Sequence, residues 1–259
     1  METVESGWDD FWAEVMRVKY RSSVQGIAQY DDMLVECCIQ LLALKRGDAI
    51  LDIACGAGDH SLLFCRHGLE VTGFDISKTL IKTAQQRALQ QSLDVDFHVG
   101  DMRVMKLKRK YNGAAILSHS FGFFDDEVNR RILERVHDSL LEGGGLLIDL
   151  MNPYNLPRFH PTWTKLEGGY LLTEPYVLDA QAGVLRGRPA VFIDTDRDRV
   201  ILMNSDAMSN NDIRMYTALE IRSLLEDAGF IRIDMYGQNK LPRVPYSASS
   251  ERMVVVAFR

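Results

Sequence analysis

Leu51-Asp52-Ile53-Ala54-Cys55-Gly56-Ala57-Gly58 is the stretch on which the fold turns. It ends the apolar run Ala49-Ile50-Leu51 in an acid and two glycines. The polar step Asp59-His60-Ser61 then opens an amphipathic segment, Leu62-Leu63-Phe64-Cys65. A strand that passes through a glycine turn into a helix start lets the backbone approach a ligand closely and presents free N–H groups to it. Such a socket suits a ligand that carries a ribose or a carboxylate.

Outward from this turn, strand-like and helix-like segments alternate. Apolar strands are expected at 49–53, 71–74, 95–99, 113–117 and 146–150. Between them, apolar residues recur three and four apart: Leu80, Ile81, Ala84, Ala88 and Leu89, then Val128, Ile132, Leu133, Val136, Leu140 and Leu141. This rhythm predicts a parallel sheet wound by right-handed crossovers, with a helix over 24–44 covering it. From 152 to about 216 the rhythm breaks. Pro153, Pro157, Pro161 and Pro175 interrupt helices, and short β-prone runs stand at 170–173, 190–193 and 199–202. Thr217 and Glu220 then form a capping box for a helix that Gly229 stops. Two strands, 231–236 and 253–258, follow across a linker too short for a helical crossover, so the last pair should be antiparallel. The expected fold is therefore α/β: a doubly wound, seven-stranded, mostly parallel sheet with an antiparallel β insertion after strand five. Residues 1–151 and 215–259 would form the core. Residues 152–214 would form the insertion, a cap or dimerisation surface.

The 259 residues are 46% apolar and 25% charged, an ordinary soluble composition. No apolar run is long enough to cross a bilayer, and the acidic start Met1-Glu2-Thr3-Val4-Glu5 has no signal core, so a cytoplasmic protein is expected. Cys37, Cys38, Cys55 and Cys65 show no CxxC spacing and read as buried thiols, with no metal site expected. The formal charge of −6 argues against a nucleic-acid partner.

Two ligand classes share the socket. The dinucleotide fingerprint needs a small residue three positions after the second glycine, and Ser61 stands there instead. Asp52 and Asp59 would also repel a pyrophosphate, whereas an ammonium or sulfonium would be welcome.

At this point the chain resembles the class I S-adenosylmethionine-dependent methyltransferases. Leu51 to Gly58 is similar to the first motif of that family. Val71-Thr72-Gly73-Phe74-Asp75-Ile76-Ser77 resembles the second, in which the acid, here Asp75, bonds the ribose. Phe97-His98-Val99-Gly100-Asp101-Met102 resembles the third, in which the acid, here Asp101, takes the adenine amino group and the next residue packs on the ring. Residues 111–118 with 141–146 resemble the fourth strand and the turn before the fifth. Four blocks in order on the expected elements are a specific signal. The resemblance implies a Rossmann-like methyltransferase fold with S-adenosylmethionine as cofactor, held by Asp52, Ala54, Gly56, Gly58, Asp75, Ile76, Asp101, Met102 and Ser118. Ser-x-Ser-Phe-Gly after strand four, here Ser118 to Gly122, resembles the small-molecule branch, including enzymes acting on sugar amines.

Methyl transfer asks mainly for alignment of the acceptor and exclusion of water, and only a hydroxyl acceptor needs a general base. His119, beyond strand four, is the best-placed base or positioning group. Phe121 and Phe123, together with Tyr20 and Asn152, are candidates for the acceptor pocket. Tyr20 would come from the N-terminal segment that also carries Trp8, Trp12 and Arg21. Arg158, His160 and Trp163 leave strand five toward the same rim, and Arg214 and Tyr216 approach from the insertion side. The expected partner is a small-molecule acceptor. An RNA or protein acceptor, a non-catalytic cofactor-binding protein, and a homodimer through the insertion stand as alternatives to test.

Overall fold

The computed structural model describes residues 1–6, 11, 14, 25–107, 109–156, 162–166, 168–173, 177–186, 191–203 and 212–259. Tyr20, Trp8, Trp12, Arg21, Arg158 and His160 lie outside these residues, as does the side chain of Trp163. The chain divides into two compact units. Residues 28–155 and 215–259 form one, and residues 1–27 and 156–214 form the other.

The larger unit holds a seven-stranded sheet. Its strands are β2 (Ala49–Ile53), β3 (Glu70–Asp75), β4 (Val95–Val99), β5 (Tyr111–Ile116), β6 (Leu140–Met151), β14 (Arg232–Tyr236) and β15 (Arg252–Phe258). Their spatial order is β14-β15-β6-β5-β2-β3-β4. The pairs among β2 to β6 are parallel, and β15 runs antiparallel to both of its neighbours. Helices α1 (Gln25–Leu41), α2 (Asp59–Arg66), α3 (Lys78–Gln90), α4 (Asp126–Ser139) and α5 (Ala218–Asp227) accompany it.

The strands are apolar on both faces because each face is covered. Alternate residues point to opposite sides. Leu51, Ile53, Ile116, Ile148 and Val255 pack with Ile132, Val136, Ile221 and Leu225 of α4 and α5. Ile50, Ala115, Leu147 and Val254 pack with Leu34, Val35, Cys38 and Leu41 of α1 and with Phe64 of α2. Asp52 is in phase with Ile50, so it faces the side of α1 and α2. Helix α5 begins at the capping box read from the sequence: Thr217 and Glu220 each accept from the other's backbone N–H. Strand β6 starts earlier than its apolar core suggests. It pairs with β5 from Tyr111–Leu140, shifts register, and resumes at Gly113–Gly145. A Cβ on Gly144 would lie 2.9 Å from the Leu141 carbonyl oxygen, and Gly143 has φ +75°, so the glycine triplet makes this bulge feasible.

The smaller unit is β-rich. Strands β7 (Thr162–Leu166), β8 (Gly169–Thr173), β11 (Val191–Asp194) and β12 (Arg199–Met203) pair antiparallel in the order β12-β11-β8-β7. Strand β1 (Glu2–Ser6) completes this sheet by pairing parallel with β12. A three-stranded sheet sets β10 (Val184–Arg186) between β9 (Val177–Asp179) and β13 (Ile213–Arg214). Residues 1–27 therefore group with 156–214 rather than with the core to which the sequence assigned them. The ladder from Glu2–Arg199 to Ser6–Met203 is the physical reason.

Candidate active site

The carboxyl ends of β3, β4, β2 and β5 come level through their registers. Asp75 pairs with Val99, Phe74 with Ile53, and Ile53 with Ile116. The residues that follow each strand therefore meet at one edge of the sheet. Strand β2 lies between β3 and β5, where the chain order reverses, which is where open α/β sheets bind ligands.

Asp75 ties this edge together. Its Oδ2 accepts the Gly56 N–H at 2.8 Å and its Oδ1 accepts the Ser77 N–H at 2.8 Å. The carboxylate is buried, and two charge-assisted bonds hold the glycine loop against the end of β3. Ala54 (φ +59°), Gly56 (φ +54°) and Gly58 (φ +80°) make the turn in the left-handed region. The two glycines differ in surroundings. A Cβ on Gly58 would stand 2.8 Å from Cζ of Phe97, whereas a Cβ on Gly56 would meet nothing within 4 Å. The outer side of the loop at Gly56 is thus open to a ligand, and the inner side at Gly58 is closed by packing. Arg87 on α3 braces the turn, donating to the Ala57 carbonyl at 2.6 Å and pairing with Asp59 at 2.8 Å.

Asp52 lies beneath the loop, buried, and accepts Ser61 Oγ–H at 2.5 Å. Burial pushes its carboxyl up to about 6, against the opposing pull of His60 and the Ser61 bond. Ile76 and Val99, at the ends of β3 and β4, are 54% and 52% exposed and lay an apolar surface beside Asp75. Met102 is half-buried against the core. Asp101 is grasped by Arg103, whose Nε donates to Oδ1 at 3.0 Å and to Oδ2 at 2.8 Å. This hydrogen bonding holds the Asp101 carboxyl below its ordinary range. The same guanidinium lies 4.8 Å from the centre of the Phe124 ring. An acid at a strand end, open backbone and exposed apolar surface together fit an adenosyl group.

Beyond β5 the chain turns at Ser118 (φ +52°) and His119 (φ +65°). The Ser118 side is exposed, and its N–H donates to Asp149 Oδ2 at 3.3 Å, while the His119 N–H donates to the Asp149 carbonyl at 3.2 Å. Asp149 is fully buried and takes the Arg252 Nε–H on Oδ1 at 3.1 Å and the Arg252 Nη2–H on Oδ2. Arg252 Nη1 lies 2.6 Å from His119 Nε2. A guanidinium only donates, so Nε2 accepts and the ring is the neutral Nδ1–H form. Burial first, then the Arg252 charge, pull the His119 imidazole down to about 4, against the opposing Asp149 charge. Held this way, His119 is a neutral acceptor whose lone pair is taken. It is not placed to be the base the sequence suggested. Its Nδ1 is buried and makes no hydrogen bond among the described residues.

The acceptor-pocket candidates separate. Phe121 is 1% exposed and packs in the core, its ring centre 5.8 Å from that of Tyr216, so it is core and not pocket wall. Phe123 is 36% exposed beside it. Tyr216 is buried too, donating to Asp126 Oδ1 at 2.8 Å and accepting from Asn129 at 2.9 Å. Asn152 is also buried and fully engaged. Its amide donates to the carbonyls of Ser247, Ala248 and Ser250, and its oxygen accepts Tyr154 N–H and Tyr246 O–H. With every polar atom bonded, Asn152 staples the 246–250 loop and has no group left for a substrate.

Asp149 and Arg252 were not singled out from the sequence. The available signal was a carboxylate inside the apolar run Leu146 to Leu150 and an arginine at the head of Met253-Val254-Val255-Val256. Each charge implies a partner. Among the described residues no helix is long and apolar enough to cross a membrane, and no three potential metal ligands cluster.

Residues 50–144 match the family model of a methyltransferase domain. Over 108 residues the chain is 28% identical to a Geobacillus sp. (strain WCH70) protein named for methyl transfer, a match covering 41% of this chain and 44% of that one. The chain thus spans less than half the length of this curated relative. Among solved structures, an S-adenosylmethionine-dependent methyltransferase from Clostridium acetobutylicum superposes with a TM-score of 0.75 at 17% identity, covering 96% of this chain and 98% of that one. The sugar N-methyltransferase KedS8 from Streptoalloteichus sp. superposes with a TM-score of 0.68 at 19% identity, covering 88% and 87%.

Proposed function

We propose that this chain, which carries a class I S-adenosylmethionine-dependent methyltransferase domain, methylates an amine nitrogen of a small molecule. The observation that carries the cofactor half of this reading is the Gly56–Asp75 tie. It leaves the outer side of the loop open next to a strand-end acid and exposed apolar surface. Asp75 would receive the ribose hydroxyls, Ile76 and Met102 would flank the base, and Asp101 would take the adenine amino group. Gly56 and Ala54 would let the amino-acid end lie against the backbone. S-adenosylmethionine, when bound, supplies an activated methyl group on a sulfonium.

The choice of nitrogen follows from His119. A hydroxyl acceptor is helped by a base, while a neutral amine already has the lone pair that attacks. The His119 lone pair is occupied by Arg252, and the ring takes a proton only well below neutral pH. What remains for this edge of the sheet is to orient the acceptor and keep water out. The sugar N-methyltransferase likeness supports the same reading, as does the formal charge of −6, which favours a small acceptor over RNA.

The test is methyl transfer from labelled S-adenosylmethionine to matched pairs of acceptors, amino sugars against their hydroxyl analogues, with a short RNA alongside. Turnover confined to amines is expected. Turnover of hydroxyl compounds or RNA in preference to amines would overturn the nitrogen reading.

A further inference from the structure

His60 is a buried titratable side chain that the proposed reaction does not use. It sits one residue into α2, directly after the glycine loop, with 12% of its side chain exposed. Its Nε2 lies 3.5 Å from Oδ1 of Asp31 on α1 without forming an aligned hydrogen bond. The charges of Asp52, on the strand below, and of Asp59, the preceding residue, also bear on the ring.

The loop is crowded with negative charge. Asp31 comes from α1, Asp52 from β2, Asp59 from α2 and Asp75 from β3. The thiols of Cys38 and Cys55 also face Asp52, and burial keeps both protonated. Arg87 answers Asp59 at 2.8 Å, and Asp75 is stabilised by two backbone N–H groups. Among the described residues the Asp52 carboxylate has the Ser61 hydroxyl as its one bonded partner, and a fully buried carboxylate with one neutral donor is poorly compensated. His60 adjoins Ser61, the residue bonded to Asp52, and stands 3.5 Å from Asp31, so its charge falls where Asp52 lacks one.

We propose that His60 is a positioning residue of the cofactor socket: its imidazolium, anchored beside Asp31, is the counter-charge that keeps Asp52 ionised beneath the glycine loop. This rests on the loop being the cofactor socket. Burial alone lowers a histidine, yet the surrounding carboxylates outweigh it and hold His60 above its ordinary value. Asp31 thereby acquires a role at a distance, since it anchors from α1 the charge that Asp52 needs.

The test has two readouts on the full chain. The first is the imidazole nitrogen shifts of His60 by NMR, which do not depend on any ligand. Both nitrogens should be protonated at pH 7, and Asp31→Asn should shift the titration of the ring to lower pH. The second is calorimetric binding of S-adenosylhomocysteine from pH 5 to 8.5. For the wild type, affinity should fall about tenfold per pH unit once Asp52 takes a proton below about 6. In His60→Gln that fall should begin nearer neutrality, weakening binding several-fold at pH 7 and recovering by pH 8.5. Asp52→Asn should remove the pH dependence. If His60→Gln does not fold, Asp31→Asn carries the same comparison. A neutral His60 ring at pH 7, or an unmoved binding limb in both variants, overturns the proposal. A wild type that binds no S-adenosylhomocysteine at any pH overturns the cofactor reading instead, and the nitrogen shifts then decide the charge of His60 alone.

Discussion

Arg252 on the last strand donates to His119 beyond β5, with 2.6 Å between Nη1 and Nε2; the buried Asp149 carboxylate holds Arg252, and the Asp149 main-chain carbonyl accepts the His119 N–H. One acid thus fixes the orientation of a cation and, through it, the tautomer of an imidazole. A buried charge pair adds little net stability but defines geometry when all its donors are matched.

The pH dependence of this cluster has a definite sign. The folded value of His119 is about 4, below the ordinary 6.5 of an unfolded histidine. Its contribution to stability is complete above pH 6.5 and is lost as pH falls toward 4, up to roughly 3 kcal/mol. Chemical denaturation of the wild type and His119→Asn across pH 7 to 4 should show the flatter profile in the variant. Equal slopes would mean that the ring is not buried in its neutral form.

Asp75→Asn keeps shape and removes charge. The Gly56 and Ser77 N–H groups then donate to a neutral oxygen or to a misplaced amide. S-adenosylhomocysteine binding should weaken by at least roughly 100-fold, about 2.7 kcal/mol. Calorimetry with a folded variant decides it, and a loss under fivefold would remove Asp75 from the socket.

Asn152→Ala should act on stability rather than on the acceptor. It strands three carbonyls and the donors of Tyr154 and Tyr246. The expected cost is about 2–4 kcal/mol. Turnover per folded molecule should keep its KM for the acceptor; a KM change with intact stability would assign Asn152 to the pocket after all.

The two loop glycines should respond differently to alanine. Both pay about 1 kcal/mol for a left-handed backbone. Gly58→Ala also drives a methyl into Phe97 and Ala84 and should lower the melting temperature further. Gly56→Ala meets open space, so it should fold nearly as well and lose cofactor affinity instead. Thermal melts with and without S-adenosylhomocysteine separate the two.

The seven-stranded sheet was legible because its signals are local. Short continuous apolar runs, helical spacing and the Thr217–Glu220 cap each occupy a few neighbouring residues. The Gly56–Asp75 tie was half legible, since the two motifs were visible but their bond was not. The His119 cluster was illegible for a physical reason: Arg252 and Asp149 stand 103 positions apart and meet only through the β6–β15 pairing. Asn152 misled for a related reason, because an asparagine leaving a strand looks alike whether it meets a ligand or the carbonyls of a distant loop. Arg103 on Asp101 was within two residues and could have been read from the sequence as a carboxylate with a built-in partner.

The parallel ladder between β1 and β12 has a consequence for how the chain is made. Glu2 leaves the ribosome about 200 residues ahead of its partner Arg199, a wait of roughly 10 to 40 s at ordinary elongation rates. Through that interval most of the larger unit can already fold, while the first strand stands without its sheet. The smaller unit is therefore completed late, around a segment synthesised long before the rest of its sheet. A folding assay on nascent chains should find residues 1–6 protease-sensitive until the codons beyond 203 have been read.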